Sequence, residues 1–128
     1  MSQTINTTVE PQGYIMIVFN GDLVEGSVEV FKKELSEASV LIQKEHHEHG
    51  KKVRILLDTT NFTGNYALAA LAALVEFAKF NKAFVEKTAS FGGSEKVHMA
   101  GEAAIALSGR DNIHMFKNKV DAVMWLLG

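Results

Sequence analysis

The sequence has no cysteine and a single proline among its 128 residues. The lack of cysteine excludes disulfide bonds, thiolate metal sites and a cysteine nucleophile. A strong net charge is missing as well, because 13 Lys and Arg stand against 15 Asp and Glu. Such a balance gives no electrostatic basis for binding nucleic acid or an anionic membrane. We therefore predict no nucleic-acid partner and no cofactor.

Long hydrophobic runs are also absent. The longest, Tyr66 to Val75, has about half of the roughly 20 apolar residues that a membrane-spanning helix needs. The first residues, Met1 to Asn6, lack the basic start and the apolar run of a signal peptide. With 47% hydrophobic residues, the chain is long enough for one well-packed core. We expect a single cytoplasmic domain over residues 1–128.

The first half of the sequence predicts a hairpin followed by a helix. Thr4 to Val9 alternates like an edge strand, and Tyr14 to Phe19 is a continuous apolar strand that ends at Asn20-Gly21-Asp22. Helix one is predicted from about Ser27 to a left-handed cap at Gly50. Its buried stripe consists of Val28, Phe31, Leu35, Ala38 and Ile42.

The centre of the chain is the stretch from Val53 to Phe80. An apolar strand, Val53 to Leu57, ends on Asp58, and a polar turn is predicted from Thr59 to Asn65. Helix two is then expected from an N-cap at Asn65 to about Phe80. This helix is apolar nearly all round, which is typical of a helix buried in a domain or of one covering a partner surface.

The last third repeats the strand–helix pattern twice. Lys87 to Phe91 is predicted as a strand, and Gly92-Gly93-Ser94 then leads into helix three with Ser94 as its cap. Small residues on the inward side of that helix predict close packing on the sheet: Val97, Ala100, Gly101, Ala104, Ile105 and Ser108. Ile113 to Phe116 is the last strand. Helix four, capped near Asn118, is expected to bury Val120, Val123, Met124 and Leu127.

The predicted order is ββαβαβαβα, an α/β fold with a mixed five-stranded sheet and about four helices. This order resembles the STAS domain, and more narrowly the stand-alone SpoIIAA-like bacterial proteins. The resemblance covers nearly the whole chain. It is carried by VRILLDTTNFTG at the central strand and turn, and by IHMFKNKVDAVMWLL at the end.

The resemblance implies a non-enzymatic regulatory or protein-interaction module. Anti-sigma-factor antagonists of this family carry an Asp-Ser-Ser-Gly motif before helix two, and phosphorylation of its serine releases a partner kinase. The corresponding stretch here is Phe62-Thr63-Gly64-Asn65-Tyr66, which contains no serine. We therefore expect a module without the usual phosphoserine switch. SpoIIAA-like proteins have also been considered carriers of apolar ligands or membrane-associated proteins.

Two candidate sites follow. Ligands of open α/β sheets gather at the carboxyl ends of parallel strands, which selects a partner- or ligand-binding turn formed by Asp58, Thr59, Thr60, Thr63 and Asn65. The second candidate is an apolar contact helix, formed by Tyr66, Leu68, Leu71, Leu74, Val75 and Phe77. The expected partner is a protein or a second copy of the chain, and the alternative is a small apolar ligand. Whether the protein associates with membranes stays open.

Catalytic and metal sites are not predicted. His98 and His114 are isolated, and no spacing joins either one to Ser90, Ser94 or Asp58 as a triad. Glu45-His46-His47-Glu48-His49 places His46 and His49 on one helix face, but two ligands at a helix end seldom enclose a metal.

Overall fold

The computed structural model describes residues 3–128 and confirms the predicted order of strands and helices. The strands are β1 (Ile5–Glu10), β2 (Tyr14–Leu23), β3 (Val53–Tyr66), β4 (Val85–Phe91) and β5 (Ile113–Phe116). The helices are α1 (Val28–His49), α2 (Leu68–Phe80), α3 (Glu95–Ser108) and α4 (Lys119–Leu127). The expectation for the N-terminus rests partly on Met1 and Ser2, which lie outside the described residues.

The five strands form one mixed sheet in the order β1-β2-β3-β4-β5. The β1–β2 pair is antiparallel, and the three pairs β2–β3, β3–β4 and β4–β5 are parallel. The predicted hairpin turn is present, since Gly13 N donates to the carbonyl of Glu10 at 3.0 Å. The carboxyl ends of β2 to β5 therefore meet at one edge of the sheet.

The sheet has a separate hydrophobic core on each face. On one face, α1 and α2 pack with Ile15, Ile17 and Ile55, and Val97 of α3 joins the same cluster. The predicted stripe of α1 is buried in this core. On the other face α4 packs with Ala122 and Leu126 against residues such as Tyr14, Leu56 and Ala89.

The predicted polar turn from Thr59 to Asn65 is wrong, because this segment is the second half of β3. It pairs with an equally extended β2, with Asn20 opposite Asn61, Gly21 opposite Phe62 and Leu23 opposite Tyr66. The end of the second strand predicted at residues 20–22 is therefore wrong as well. Phe62, only 8% exposed, anchors the extension by packing on Phe19 with the ring centroids 6.3 Å apart.

The start of helix two also differs from the prediction. Helix α2 begins at Leu68 behind Ala67, and no side chain caps it. Asn65, the predicted cap, is still in β3 and donates from Nδ2 to Asp22 Oδ1 at 3.0 Å. The first turn of α2 thus lacks the side-chain acceptor that commonly satisfies its free N–H groups.

The buried side of α4 is displaced from the predicted one. Val120, Met124 and Leu127 are exposed, whereas Ala122 and Leu126 are fully buried. The cap is as expected, since Asn118 Oδ1 accepts from Asp121 N at 2.9 Å. The small Ala122 lets the helix approach the sheet, and this turns the larger Val120 and Met124 outwards.

Candidate functional site

A cavity of about 120 Å³ lies between the sheet, α2 and α3. We call it the α2 cavity. Its wall is predominantly apolar: Ile17, Phe19, Leu23, Leu35, Ile55, Leu57, Phe62, Ala70, Leu71, Leu74, Phe77, Ala78, Val97, Ala100, Gly101, Ala104, Ile105, Ile113 and Met115. Polar side chains join the wall at six positions, which are Thr59, Tyr66, Asn81, Thr88, Ser90 and Arg110.

Small residues on α3 explain why this space exists. Ala100, Gly101 and Ala104 line the cavity and do not fill it. The close packing predicted for this helix occurs at Gly101, where a Cβ would lie 3.2 Å from Met115 Sδ. Contact at that point holds α3 near β5, while the neighbouring alanines leave an opening. Because Val97 is buried and Ala100 also packs against the core, the predicted close packing holds in part, and the opening lies beside Ala104.

The predicted apolar contact helix divides into an inner and an outer set. Four of its residues line the cavity, namely Tyr66, Leu71, Leu74 and Phe77. Val75 is buried, but it is outside the cavity wall. Leu68 is 79% exposed and faces away from the protein. The inner side of α2 thus lines the cavity, and the rest of its apolar residues lie outside the cavity wall.

Arg110 is the charged group in the cavity wall, and it is only 7% exposed. Its Nη2 donates to Thr88 Oγ1 at 3.1 Å, and its Nε donates to Asn112 Oδ1 at 3.0 Å. Its Nη1 reaches the carbonyl of Ala78, in the last turn of α2, at 3.5 Å. Burial lowers the pKa of this guanidinium, because desolvation disfavours the charged form. Sequence analysis missed Arg110, which follows the glycine that ends α3 and belongs to no motif.

The five residues of the predicted binding turn are not brought together into one site. Asp58 Oδ1 accepts from the backbone N–H of Thr60 at 3.0 Å. Thr59 lies in the cavity wall, and its hydroxyl donates to the carbonyl of Phe91 at 2.9 Å. Thr63 and Asn65 are exposed and turn towards β2. Only Thr59 of this set therefore belongs to the cavity.

Thr63 and Asn65 instead form a surface network around Asp22, a residue that sequence analysis did not select. The hydroxyl of Thr63 donates to Asp22 Oδ1 at 2.5 Å, and Asn65 Oδ1 accepts from Lys96 Nζ. The hydrogen bonds from Thr63 and Asn65 lower the pKa of the Asp22 carboxyl, and the charge of Lys96 adds to the effect. A phosphate on Thr63 would sit beside this carboxylate, where like charges repel.

Gly92 and Gly93 are needed where the loop after β4 crosses β3. A Cβ on Gly92 would lie 2.3 Å from Thr60 Oγ1, and one on Gly93 would lie 3.2 Å from the carbonyl of Thr59. Both glycines have positive φ angles, of 87° and 84°, a region that residues with a side chain rarely adopt. Ser94 caps α3 as predicted, since its Oγ accepts from Val97 N at 3.4 Å. The two glycines thus allow the loop to pass close to β3, and the serine caps α3. These structural roles explain the Gly-Gly-Ser segment.

The histidines lie outside the α2 cavity. His46 Nδ1 donates to the carbonyl of Lys51 at 2.9 Å, and His114 stacks on Trp125 with the centroids 4.5 Å apart. Near the end of α1, possible ligand atoms of Glu45, Glu48 and His49 come within 4.8 Å of one another. Two of these three residues are exposed, and such groupings are common on surfaces without an ion.

Within residues 3–128, none of the helices combines the length and the apolarity required to cross a bilayer.

Comparison with known proteins gives matches of structure alone. No family model matches the chain, and no curated protein matches it in sequence. An uncharacterized protein of the DUF3478 family from Shewanella loihica PV-4, described as having a SpoIIAA-like fold, superposes with a TM-score of 0.63 at 20% identity. That match covers 95% of this chain and 91% of the other.

Two further structures show the same architecture. The anti-sigma factor antagonist SpoIIAA, in its unphosphorylated form, gives a TM-score of 0.59 at 12% identity, with 94% of each chain covered. SLC26A9 gives 0.60 at 16% identity, and the match covers 89% of this chain but 20% of that one. The sheet order, the helix order and these superpositions agree with the resemblance stated from the sequence. The chain therefore has the SpoIIAA-like α/β fold.

Proposed function

We propose that the protein is a non-enzymatic binding module whose α2 cavity takes a small, largely apolar ligand. The observation that supports this proposal is the cavity itself, an apolar space of about 120 Å³ between α2, α3 and the sheet. Unfilled apolar space costs stability, since the side chains around it lose packing contacts. A ligand that fills the space would restore those contacts. The geometry thus favours a small apolar ligand over a protein partner as the occupant of this site.

The size of the cavity limits the ligand. An engineered apolar cavity of about 150 Å³ in another protein stays dry and binds benzene. A cavity of about 120 Å³ therefore suits a single ring or an aliphatic chain of about six carbon atoms. Longer chains would require α2 to move away from the sheet.

Helix α2 links the cavity to the surface. Its inner side carries Leu71, Leu74 and Phe77 in the cavity wall, while Leu68 and Phe80 are 79% and 60% exposed near its two ends. Because no side chain caps its first turn, packing on the inner side contributes much of its stability. A bound ligand would add to that packing and hold the outer side in one position. This supports a regulatory module in which occupancy of the cavity changes the surface offered to a partner.

Ligand binding is tested with a variant in which a larger side chain occupies part of the cavity. Ala104→Leu places a larger side chain in the wall, and Ala106→Leu makes the same change at an exposed position of α3 outside the wall. Toluene serves as a neutral apolar probe, and binding is followed by methyl NMR shifts and by thermal stabilisation. We expect binding by the native chain and by Ala106→Leu, and loss of binding in Ala104→Leu. If toluene leaves the methyl groups of Leu71 and Leu74 unshifted in the native chain, the proposal fails.

A second candidate function, contact with a protein partner through the outer side of α2, is supported by the exposure of Leu68 and Phe80. Leu68→Glu and Phe80→Glu should each remove a partner captured from the native cell extract. Val120→Glu is the matched control, because Val120 is 67% exposed on α4, on the opposite face of the sheet. Equal capture by all three variants would rule out this surface.

A further inference from the structure

The polar end of the α2 cavity holds a cation without a counter-charge. Arg110 is 7% exposed, and within residues 3–128 no carboxylate lies at ion-pair distance from it. A guanidinium has five N–H donors, and three hydrogen bonds leave two of them without a protein acceptor. The carbonyl of Ala78 and the hydroxyl of Thr88 are neutral groups, so the charge itself is not balanced.

A second polar side chain in the wall also has an atom without a hydrogen-bond partner. Asn81 is 1% exposed, and its Oδ1 is buried without a hydrogen-bond partner. Its Nδ2 donates to Ser39 Oγ at 3.0 Å and to the carbonyl of Phe77 at 2.9 Å. Exchanging the two amide atoms would set Oδ1 against that carbonyl, so the orientation is fixed by its neighbours. Asn81, a residue of the cavity wall, therefore keeps one buried acceptor without a partner.

Both side chains with unpaired atoms lie at the C-terminal end of α2. Arg110 reaches the carbonyl of Ala78, and Asn81 binds the carbonyl of Phe77, one residue earlier. Away from these groups the wall is formed mainly by apolar side chains. The α2 cavity thus has an apolar body and a polar end that offers donors from a cation and one neutral acceptor.

We propose that the ligand of the α2 cavity is a small amphipathic hydroxy acid, with its carboxylate on Arg110 and its hydroxyl donating to Asn81 Oδ1. This assignment rests on the proposed function, because it needs a ligand in the cavity. Unpaired buried charges are costly, and arginine pairs with carboxylates through two parallel hydrogen bonds. Asn81 cannot share the carboxylate, because its free atom is an acceptor. Because the carboxylate and the hydroxyl share the space of about 120 Å³ with the apolar body, that body is no larger than a single ring or a chain of about six carbons.

The charge assignment is tested with isosteric probes on the whole chain. Benzoate and nitrobenzene have nearly the same shape, but only benzoate is an anion. We expect benzoate to bind about 10-fold to 100-fold more tightly than nitrobenzene, as hydrogen bonds to a charged group predict. Equal affinities would overturn the carboxylate assignment. Failure of toluene to bind would instead overturn the proposed function, so equal affinities count against the carboxylate assignment only when toluene binds.

Variants of Arg110 provide the matched test. Arg110→Met removes the charge and should abolish the preference for benzoate while toluene still binds, which shows that the cavity is intact. Arg110→Lys keeps the charge and should retain a preference of reduced size, because lysine cannot form the two parallel bonds. A benzoate preference that survives in Arg110→Met would show that another group binds the anion. If Arg110→Met does not fold, the comparison of probes on the native chain decides.

The hydroxyl assignment is tested with the three isomers of hydroxybenzoate. At least one isomer should bind more tightly than benzoate, because its hydroxyl reaches Asn81 Oδ1. If none of the three exceeds benzoate, Asn81 does not bind the ligand and that part of the proposal is wrong.

Discussion

Arg110 Nη2 donates to Thr88 Oγ1 at 3.1 Å, and this bond joins the loop after α3 to β4 at the polar end of the α2 cavity. Thr88 is 4% exposed and lies in β4. Because both side chains are buried, the bond matters chiefly because each group would be left without that partner if the other were removed.

A double-mutant cycle on this pair should reveal strong coupling. Thr88→Val alone removes the acceptor of a buried guanidinium N–H and should lower the free energy of unfolding by about 1–3 kcal/mol. In the Arg110→Met background, the same change should cost less than about 0.5 kcal/mol, since no donor is left unpaired. Urea denaturation of the four proteins measures the cycle. Equal costs in both backgrounds would show that the two side chains act independently.

Gly92→Ala should be severely destabilising. The added methyl would lie 2.3 Å from Thr60 Oγ1 and 3.1 Å from Thr60 Cα, so β3 or the loop has to move. The matched control is Gly109→Ala, where φ is also positive, at 68°, but nothing lies within 4 Å. We expect a loss of about 1 kcal/mol for the control, from backbone strain alone. Gly92→Ala should lose more than about 3 kcal/mol, measured by thermal denaturation. Similar losses in both variants would mean that the crossing is not tight.

Replacing a leucine of α2 by alanine should be costly on the inner side of the helix and nearly neutral on the outer side. Leu74→Ala enlarges the α2 cavity and removes packing against the core, and it should cost about 2–4 kcal/mol. Leu68→Ala, at a position that is 79% exposed, should change the free energy of unfolding by less than about 0.5 kcal/mol. Chemical denaturation of both variants checks this. A large loss in Leu68→Ala would indicate that the outer side of α2 is covered in solution.

The Asp22 network predicts a pH effect with a definite sign. Hydrogen bonds from Thr63 and then Asn65 lower the pKa of Asp22 in the folded state. The stability that they contribute is therefore present above the unfolded pKa of about 4, and it is lost as the pH falls through the lower folded value. NMR titration of the Asp22 carboxyl should show its pKa rising towards the ordinary value in Thr63→Val. Thr8→Val, which removes a hydroxyl bonded to Glu10 on β1, should leave the Asp22 titration unchanged. If the Thr63→Val titration matches that of the native chain, the hydrogen bond is not the cause.

The fold was largely predictable because periodicity and caps determine it locally. Each of these signals predicts the backbone conformation near its own position. Examples are the buried stripe of α1, the left-handed Gly50 and the cap at Ser94. The extension of β3 was missed because Thr, Asn and Gly are typical of turns. The contrary signal was the alternation around Phe62, with Thr63 and Asn65 exposed and Phe62 and Gly64 buried. Only pairing with β2, more than 40 residues away in sequence, makes this segment a strand.

The candidate site was predictable only in part. The apolar character of α2 indicated a contact surface, and Leu71, Leu74 and Phe77 do line the cavity. Arg110 and Asn81 were not predictable, because their importance comes from burial and from missing partners. Those properties depend on tertiary packing, and a single arginine after a helix has no sequence signature.

The order of strands in the sheet has a consequence for biosynthesis. Because each strand pairs with the one that precedes it in the chain, every strand leaving the ribosome finds its neighbour already made. The sheet can therefore grow by adding each new strand at the same edge, because no strand is inserted between two earlier ones. The surface formed by Leu56, Ala89 and Phe91 is covered only when α4, the last element, packs on it. A chain in which α4 has not yet been made thus exposes this apolar surface, and such exposed surface favours aggregation.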